Sequence, residues 1–197
     1  ETLIIRHPTV VPPRGRGRLP RVKADNIVLV INHPPVTVGG RVDYDLPAII
    51  DNLKRIYNVT PYVCPNSPLV EKAVAQTYER QDLIDFKWWN IINQAAWDIE
   101  RTVPTQEQPL KIGRHGRAHR EKWPDNADDI LQCYPERNDI KVRVLGGADV
   151  AGNIIGYVPE NWTAYKFNEI DPKTFLGELD VFVYFHHPEW VEAFPRT

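Results

Sequence analysis

One apolar run, Asn26–Ile31, constrains the fold of this chain more than any other segment. Its last five residues, Ile-Val-Leu-Val-Ile, show no alternation of apolar and polar side chains. Such a strand is buried on both faces, which is typical of a parallel sheet covered by helices. An amphipathic helix is predicted over residues 45–56, with Asp45 as its N-cap. Its apolar positions are Leu46, Ile49, Ile50, Leu53 and Ile56.

The same alternation of strand and helix patterns continues along the chain. Further strands are predicted at residues 3–5, 61–65, 141–147, 162–167 and 181–185, and further helices at residues 67–74 and from Asn126 onward. This order predicts an α/β fold with two Rossmann-like lobes, each built on a mostly parallel sheet. We place the first lobe at residues 1–97, a charged, proline-bearing linker at 98–110 and the second lobe at 111–197.

The composition is that of a globular protein without a disulfide or zinc framework. The 197 residues are 42% hydrophobic and 25% charged, with a formal net charge of -2 and two cysteines. The negative charge argues against a nucleic-acid partner, and the cysteine usage indicates a reducing compartment, so we expect a cytoplasmic protein. No apolar run reaches the ~20 residues of a transmembrane helix, which leaves only peripheral membrane contact open. Because the chain starts at Glu1 and lacks methionine, we interpret it as part of a longer chain.

A basic segment with two glycines follows Ile112 and is the strongest candidate for a binding site. It reads Gly113-Arg114-His115-Gly116-Arg117 and continues to Lys122. We predict that it forms the turn between a strand and a helix, where α/β proteins bind phosphate through backbone N–H groups and cations. The alternative is a solvated basic loop, because four cations lie within nine positions: Arg114, Arg117, Arg120 and Lys122.

A second segment runs from His186 to Phe194 and contains Glu192-Ala193-Phe194. Together with the segment from Gly113 to Lys122, it resembles the donor-binding domain of retaining glycosyltransferases of the GT-B fold, family 4 type. In that family a glutamate opens a Glu-Ala-Phe-Gly motif, and a second glutamate follows further along. This chain has Pro195 in place of the glycine, and the second glutamate would fall beyond its last residue.

The resemblance implies a GT-B architecture of two incomplete lobes and an enzyme that moves a sugar from a nucleotide-diphosphate donor to an acceptor hydroxyl with retention. The residues it implies for donor binding are Gly113, Arg114, Arg117, Lys122 and Glu192. The residues it implies for catalysis are Arg114, Lys122, Glu192 and His33. It implies no metal and no cofactor, with the nucleotide sugar as substrate and an unidentified acceptor. We expect the parent protein to be a hexosyltransferase and this chain alone to be inactive.

Other interpretations stay open. Pro195 lacks a backbone N–H, which favours a non-catalytic nucleotide-sugar-binding module or a degenerate relative. Binding of RNA or DNA through Arg14, Arg16, Arg18 and the Gly113-Arg114 turn is a third class, which the net charge disfavours. His186 and His187 are adjacent and would point to opposite faces of a strand, so we predict a cleft wall and no metal site. The six tryptophans are predicted to fill cores and interfaces.

Overall fold

The computed structural model describes residues 1–78, 83–89, 91–99, 105 and 107–190. The chain divides into two compact units, which we call the first unit (Glu1–Ile91) and the second unit (Ile92–Trp190). Each unit has its own sheet and its own hydrophobic core. The bounds predicted from the sequence for the lobes and the linker stay predictions.

The first unit is a three-stranded sheet with two helices. Its elements are β1 (Thr2–Ile5), β2 (Asn26–Ile31), α1 (Leu46–Tyr57), β3 (Tyr62–Pro65) and α2 (Pro68–Val74). The strands are parallel and pair in the order β1-β2-β3, so that Leu29 on the central strand pairs with Ile5 and Val63. The apolar run of the sequence is this central strand, which is why both of its faces are apolar.

Helix α1 forms where local signals and tertiary packing agree. The Asp45 carboxylate accepts a hydrogen bond from the backbone N–H of Ala48 at 3.1 Å, and Pro47 occupies the first turn. The helix ends at Asn58, which has a left-handed φ of 56°. Its apolar face packs into the core of the first unit through Leu46, Ile49, Ile50 and Leu53. The helix was therefore predicted within one residue at each end.

The second unit is a four-stranded parallel sheet. Its elements are β4 (Leu110–His115), α3 (Ala127–Cys133), β5 (Ile140–Leu145), α4 (Asp149–Ile155), β6 (Trp162–Tyr165), α5 (Pro172–Gly177) and β7 (Val181–Phe182). The strands pair in the order β6-β5-β4-β7. Side chains alternate between two cores, because Ile112 packs with Trp123 and Trp162 on one face while Leu179 covers Gly113 on the other.

The predicted fold class is confirmed: the chain is α/β with two sheets of parallel strands. Two local predictions were wrong. The strand predicted at residues 181–185 is only Val181–Phe182, and Gly113 and Arg114 belong to β4 and not to the turn after it. Within the described residues, no helix combines the length and the apolar character needed to cross a bilayer.

Candidate anion-binding site of the second unit

The order of strands in the second unit changes direction beside β4. The chain passes from β4 to β5 and β6 on one side of β4, whereas β7 pairs with the opposite side. The strand order therefore reverses between β4 and β7. In open α/β sheets, ligands bind at the carboxyl ends of the two strands that flank such a reversal. Arg114 is the penultimate residue of β4 and lies at this carboxyl end.

Arg114 is buried and is surrounded by aromatic rings. Its side chain is 1% exposed, and its guanidinium carbon lies 3.7 Å from the centroid of the Trp123 ring. The same carbon is 5.8 Å from the Tyr134 ring and 5.5 Å from the Tyr184 ring. A desolvated stack of this kind contributes about 2 kcal/mol. The rings therefore hold the guanidinium in place from several sides.

The hydrogen-bonding capacity of Arg114 is largely unused. Nη1 makes a long bond of 3.5 Å to the carbonyl of Phe185, while buried Nε and Nη2 have no acceptor at hydrogen-bond distance within the described residues. The Tyr134 hydroxyl interacts with the guanidinium at longer range. Burial lowers the pKa of the guanidinium from its ordinary value. An arginine stays protonated all the same, because its ordinary pKa lies far above neutral pH. A buried cation with two unused donors is the arrangement that an anionic ligand would satisfy.

Lys122 lies on the same side of the second unit as Arg114. It ends a 3-10 turn, Arg120–Lys122, and its ammonium is 6.0 Å from the Tyr184 ring, the ring that Arg114 also contacts. The ammonium is also 4.7 Å from the Trp190 ring. The backbone N–H of His187 donates to the carbonyl of Glu121 at 3.1 Å, which fastens the segment after β7 to this turn. Two of the predicted cations therefore share one aromatic partner.

Glycines allow close packing around these cations. A Cβ on Gly113 would lie 2.5 Å from a Leu179 methyl group, so only glycine lets Leu179 cover β4. Gly146 follows β5 with a φ of +112°, and a Cβ there would lie 1.9 Å from the carbonyl oxygen of Gly116. The N–H groups of Gly146 and Gly147 both donate to the carbonyl of Tyr165. The glycine pair thus forms a turn that packs against the loop after β4.

The other predicted residues have less defined positions. Arg117 is exposed in the loop after β4, and its side chain makes no hydrogen bond within the described residues. His186 and His187 follow β7 outside any strand, and the Nδ1 of His186 bonds to the carbonyl of His187 at 2.8 Å. The prediction for Glu192 falls outside the described residues.

His33 belongs to the first unit and follows the carboxyl end of β2. Its Nε2 lies 2.7 Å from the Asp43 carboxylate and its Nδ1 lies 2.9 Å from the Asn32 side chain. The hydroxyl of buried Tyr44 donates to the carbonyl of His33 at 2.6 Å. Both ring nitrogens therefore have partners, which fixes the ring orientation.

Sequence reasoning missed two of the three rings around Arg114 and assigned the third, Trp123, to the core. The alternation along β4 carried part of the signal, because Arg114 shares a face with Ile112 and so had to be buried. Tyr134 and Tyr184 lie 50 positions apart in the sequence, and only the folded unit brings both to Arg114. Trp123 is buried as predicted and also stacks on Trp162.

The site was also compared with known proteins. No family profile, no curated protein and no solved structure matches this chain. Within the residues described here, no group of three or more His, Cys, Asp and Glu side chains is arranged to hold a metal ion.

Proposed function

We propose that the second unit binds the diphosphate of a nucleotide sugar and that the parent protein is a retaining glycosyltransferase of the GT-B type. The observation that carries the proposal is Arg114, a buried cation with unused N–H donors at the carboxyl ends of β4 and β7. The residues from Gly113 to Lys122 that resemble the family's donor-binding segment include this cation. Lys122, which contacts the same Tyr184 ring, supplies the second positive charge.

The chemistry follows from where negative charge develops. As the bond between the sugar and the diphosphate lengthens, charge grows on the departing phosphate oxygen. A guanidinium removed from water stabilises that charge more strongly than one in solvent, because little water competes for it and its orientation is already fixed. The leaving diphosphate then accepts the proton of the attacking hydroxyl on the same face of the sugar. This route retains configuration and needs no protein nucleophile.

Access to Arg114 requires movement of one ring. Trp123 and Tyr134 are buried in the core, whereas Tyr184 is half-buried and is the outermost of the three rings. We infer that Tyr184 turns aside when the diphosphate binds and that the phosphate oxygens take its place beside Nη2. The contact between Tyr184 and both cations would then serve to keep the empty site closed.

Calorimetry with inorganic pyrophosphate and with nucleoside diphosphates tests the anion site. Arg114→Gln should weaken binding about 10- to 100-fold, since a hydrogen bond to a charged group contributes about 1.5–3 kcal/mol. Lys122→Gln should weaken it less, because an ammonium acts as a point charge without a bidentate fork. Lys141→Gln is the matched control, since Lys141 is exposed on the neighbouring strand β5 and loses the same charge. Equal affinities for Arg114→Gln and Lys141→Gln would exclude the site.

A transfer assay with nucleotide sugars then separates the enzyme from a binding module. We expect the parent protein to release nucleoside diphosphate and to form a product with the same anomeric configuration as the donor. Saturable binding of the donor without any product over long incubation supports the non-catalytic module. Loss of both binding and turnover only in Arg114→Gln and Lys122→Gln ties the chemistry to these two cations.

A further inference from the structure

The two units carry opposite net charge, although the whole chain is nearly neutral. The first unit has 12 Lys and Arg against 9 Asp and Glu, whereas the second unit has 11 against 16. Within the first unit, residues 2–24 contain six cations and no carboxylate side chain: Arg6, Arg14, Arg16, Arg18, Arg21 and Lys23. Such asymmetry between halves of a chain indicates a polyanionic partner for the basic half.

The loop between β1 and β2, which carries all six of these cations, is held against α1. The buried side chain of Asn52 donates to the carbonyls of Pro12 at 2.7 Å and of Gly15 at 2.8 Å. Arg16 donates to the carbonyl of Pro20 at 2.7 Å and stacks over the Tyr57 ring at 5.2 Å. Arg16 therefore holds the loop against α1. The hydroxyl of Tyr57 also donates to Pro20, so the loop lies along the length of the helix.

The remaining cations of the loop face solvent. Arg14, Arg18 and Arg21 are exposed, and their side chains make no hydrogen bond or ion pair within the described residues. Arg14 lines a surface hollow together with Arg55 and Asp51 of α1, so two cations and one carboxylate lie at this hollow. Two aliphatic side chains of the same loop are exposed as well, Val10 at 57% and Val22 at 45%.

We propose that the exposed side chains of the loop between β1 and β2, with Arg14, Arg18 and Arg21, bind the surface of a membrane that contains anionic lipids. We call these side chains the arginine face. Cations attract anionic headgroups, and each contributes about 1 kcal/mol near such a surface. Exposed valines enter the boundary between headgroups and acyl chains, which adds attraction that salt does not screen. Residues 8–25 contain no aromatic side chain, so the loop offers no stacking platform of the kind that single-stranded nucleic acid uses.

Vesicle flotation tests the arginine face with phosphatidylcholine vesicles prepared with and without phosphatidylserine. We expect the chain to float only with the anionic vesicles at low salt. The triple variant Arg14→Gln, Arg18→Gln, Arg21→Gln should bind about a hundredfold more weakly, because each lost cation costs about fivefold. The matched control removes three exposed or half-exposed cations of the second unit, Lys141→Gln, Lys166→Gln and Lys173→Gln, and should bind as the parent chain does.

Measurements at higher salt concentration and a comparison with single-stranded RNA distinguish the remaining outcomes. Raising the salt concentration should release most of the parent chain, while Val10→Ser with Val22→Ser should release the part that resists salt. Equal binding to neutral and anionic vesicles, or equal losses in both triple variants, would overturn the proposal. So would a single-stranded RNA that binds more tightly than the anionic vesicles at the same salt concentration. Circular dichroism checks that the triple variants fold. The proposal of membrane binding does not depend on the anion site in the second unit, so either proposal can fail without the other.

Discussion

The carboxyl edges of the two sheets differ in how their polar groups are satisfied. In the first unit, His33 bonds to Asp43 and Asn32, and Tyr44 bonds back to the His33 backbone. Among the described residues at this edge, only Asn66 has a buried side-chain atom, Oδ1, without a partner. In the second unit, Arg114 is buried with two unused donors. A satisfied network specifies structure, whereas an unsatisfied buried cation costs stability. The difference indicates that the second edge is shaped for a ligand.

The order of the strands also distinguishes the two sheets. The three strands of the first unit lie in the order in which they occur in the chain, whereas the second sheet reverses between β4 and β7. In open α/β sheets such a reversal sends the neighbouring connections away from each other, and ligands bind at that position. The strand order and the unused N–H donors of Arg114 therefore indicate the same position, the carboxyl ends of β4 and β7, for independent physical reasons.

The largest expected effect comes from packing at the two edges. Gly146→Ala should lower the free energy of unfolding by about 3 kcal/mol or more, because the new Cβ meets the Gly116 carbonyl oxygen and the backbone is left-handed. Gly40→Ala in the first unit should cost only about 1–2 kcal/mol, because its φ is also positive at +80° but no atom lies within 4 Å. Urea denaturation of both variants measures the contrast. Equal losses would show that close packing does not distinguish the edges.

Replacing the buried cation tests the comparison directly. Arg114→Met should raise the free energy of unfolding by about 2 kcal/mol, because two unsatisfied donors cost about 1–3 kcal/mol each and the lost stack contributes about 2. The same variant should lose affinity for pyrophosphate. Denaturation and calorimetry on one preparation measure both quantities. A destabilised variant would mean that Arg114 is a structural residue of the core.

The sequence predicted those parts of the fold that depend on local signals. Strand β2 and helix α1 were predicted because an apolar run and a capped apolar face each specify one structure. Helix α4 was not predicted, since residues 149–155 include Gly152 and its stability depends on packing through Ala151. The end of β4 was misplaced because glycine is a common turn residue, whereas here Gly113 lies inside the strand and Leu179 packs over it.

The residues of the site were likewise predicted only as far as local sequence signals allow. Arg114 and Lys122 were predicted as a pair from their residue types and from the resemblance, and the structure brings both to the Tyr184 ring. The burial of Arg114 was not predicted, because it depends on Trp123 and Tyr134 reaching the same point from a loop and a helix end. Apart from the alternation along β4, tertiary contacts of this kind leave no periodic pattern in the sequence.

A smaller effect is expected at the carboxyl edge of the first unit, where the polar groups around His33 have hydrogen-bond partners. Tyr44→Phe should lower the free energy of unfolding by about 1 kcal/mol, because the carbonyl of half-buried His33 loses its hydrogen bond at 2.6 Å. Tyr62→Phe is the control, since Tyr62 is 46% exposed in the same unit and makes no side-chain hydrogen bond within the described residues. Thermal denaturation of the two variants is sufficient. If both behave alike, the network around His33 does not stabilise the first edge.

The smallest effect is a dependence on pH that links His115 to its neighbour. Burial first, and the Arg114 charge second, lower the pKa of His115 below 6.5. The unfolded chain then binds more protons than the folded chain, so stability should fall as pH drops below about 6.5 and through the folded pKa. His115→Gln should flatten this part of the profile. In Arg114→Met the pKa of His115, followed by NMR, should move back toward 6.5 without reaching it, because burial remains. An unchanged pKa of His115 in that variant would show that the charge on Arg114 has no electrostatic effect at the end of β4, where the diphosphate is proposed to bind.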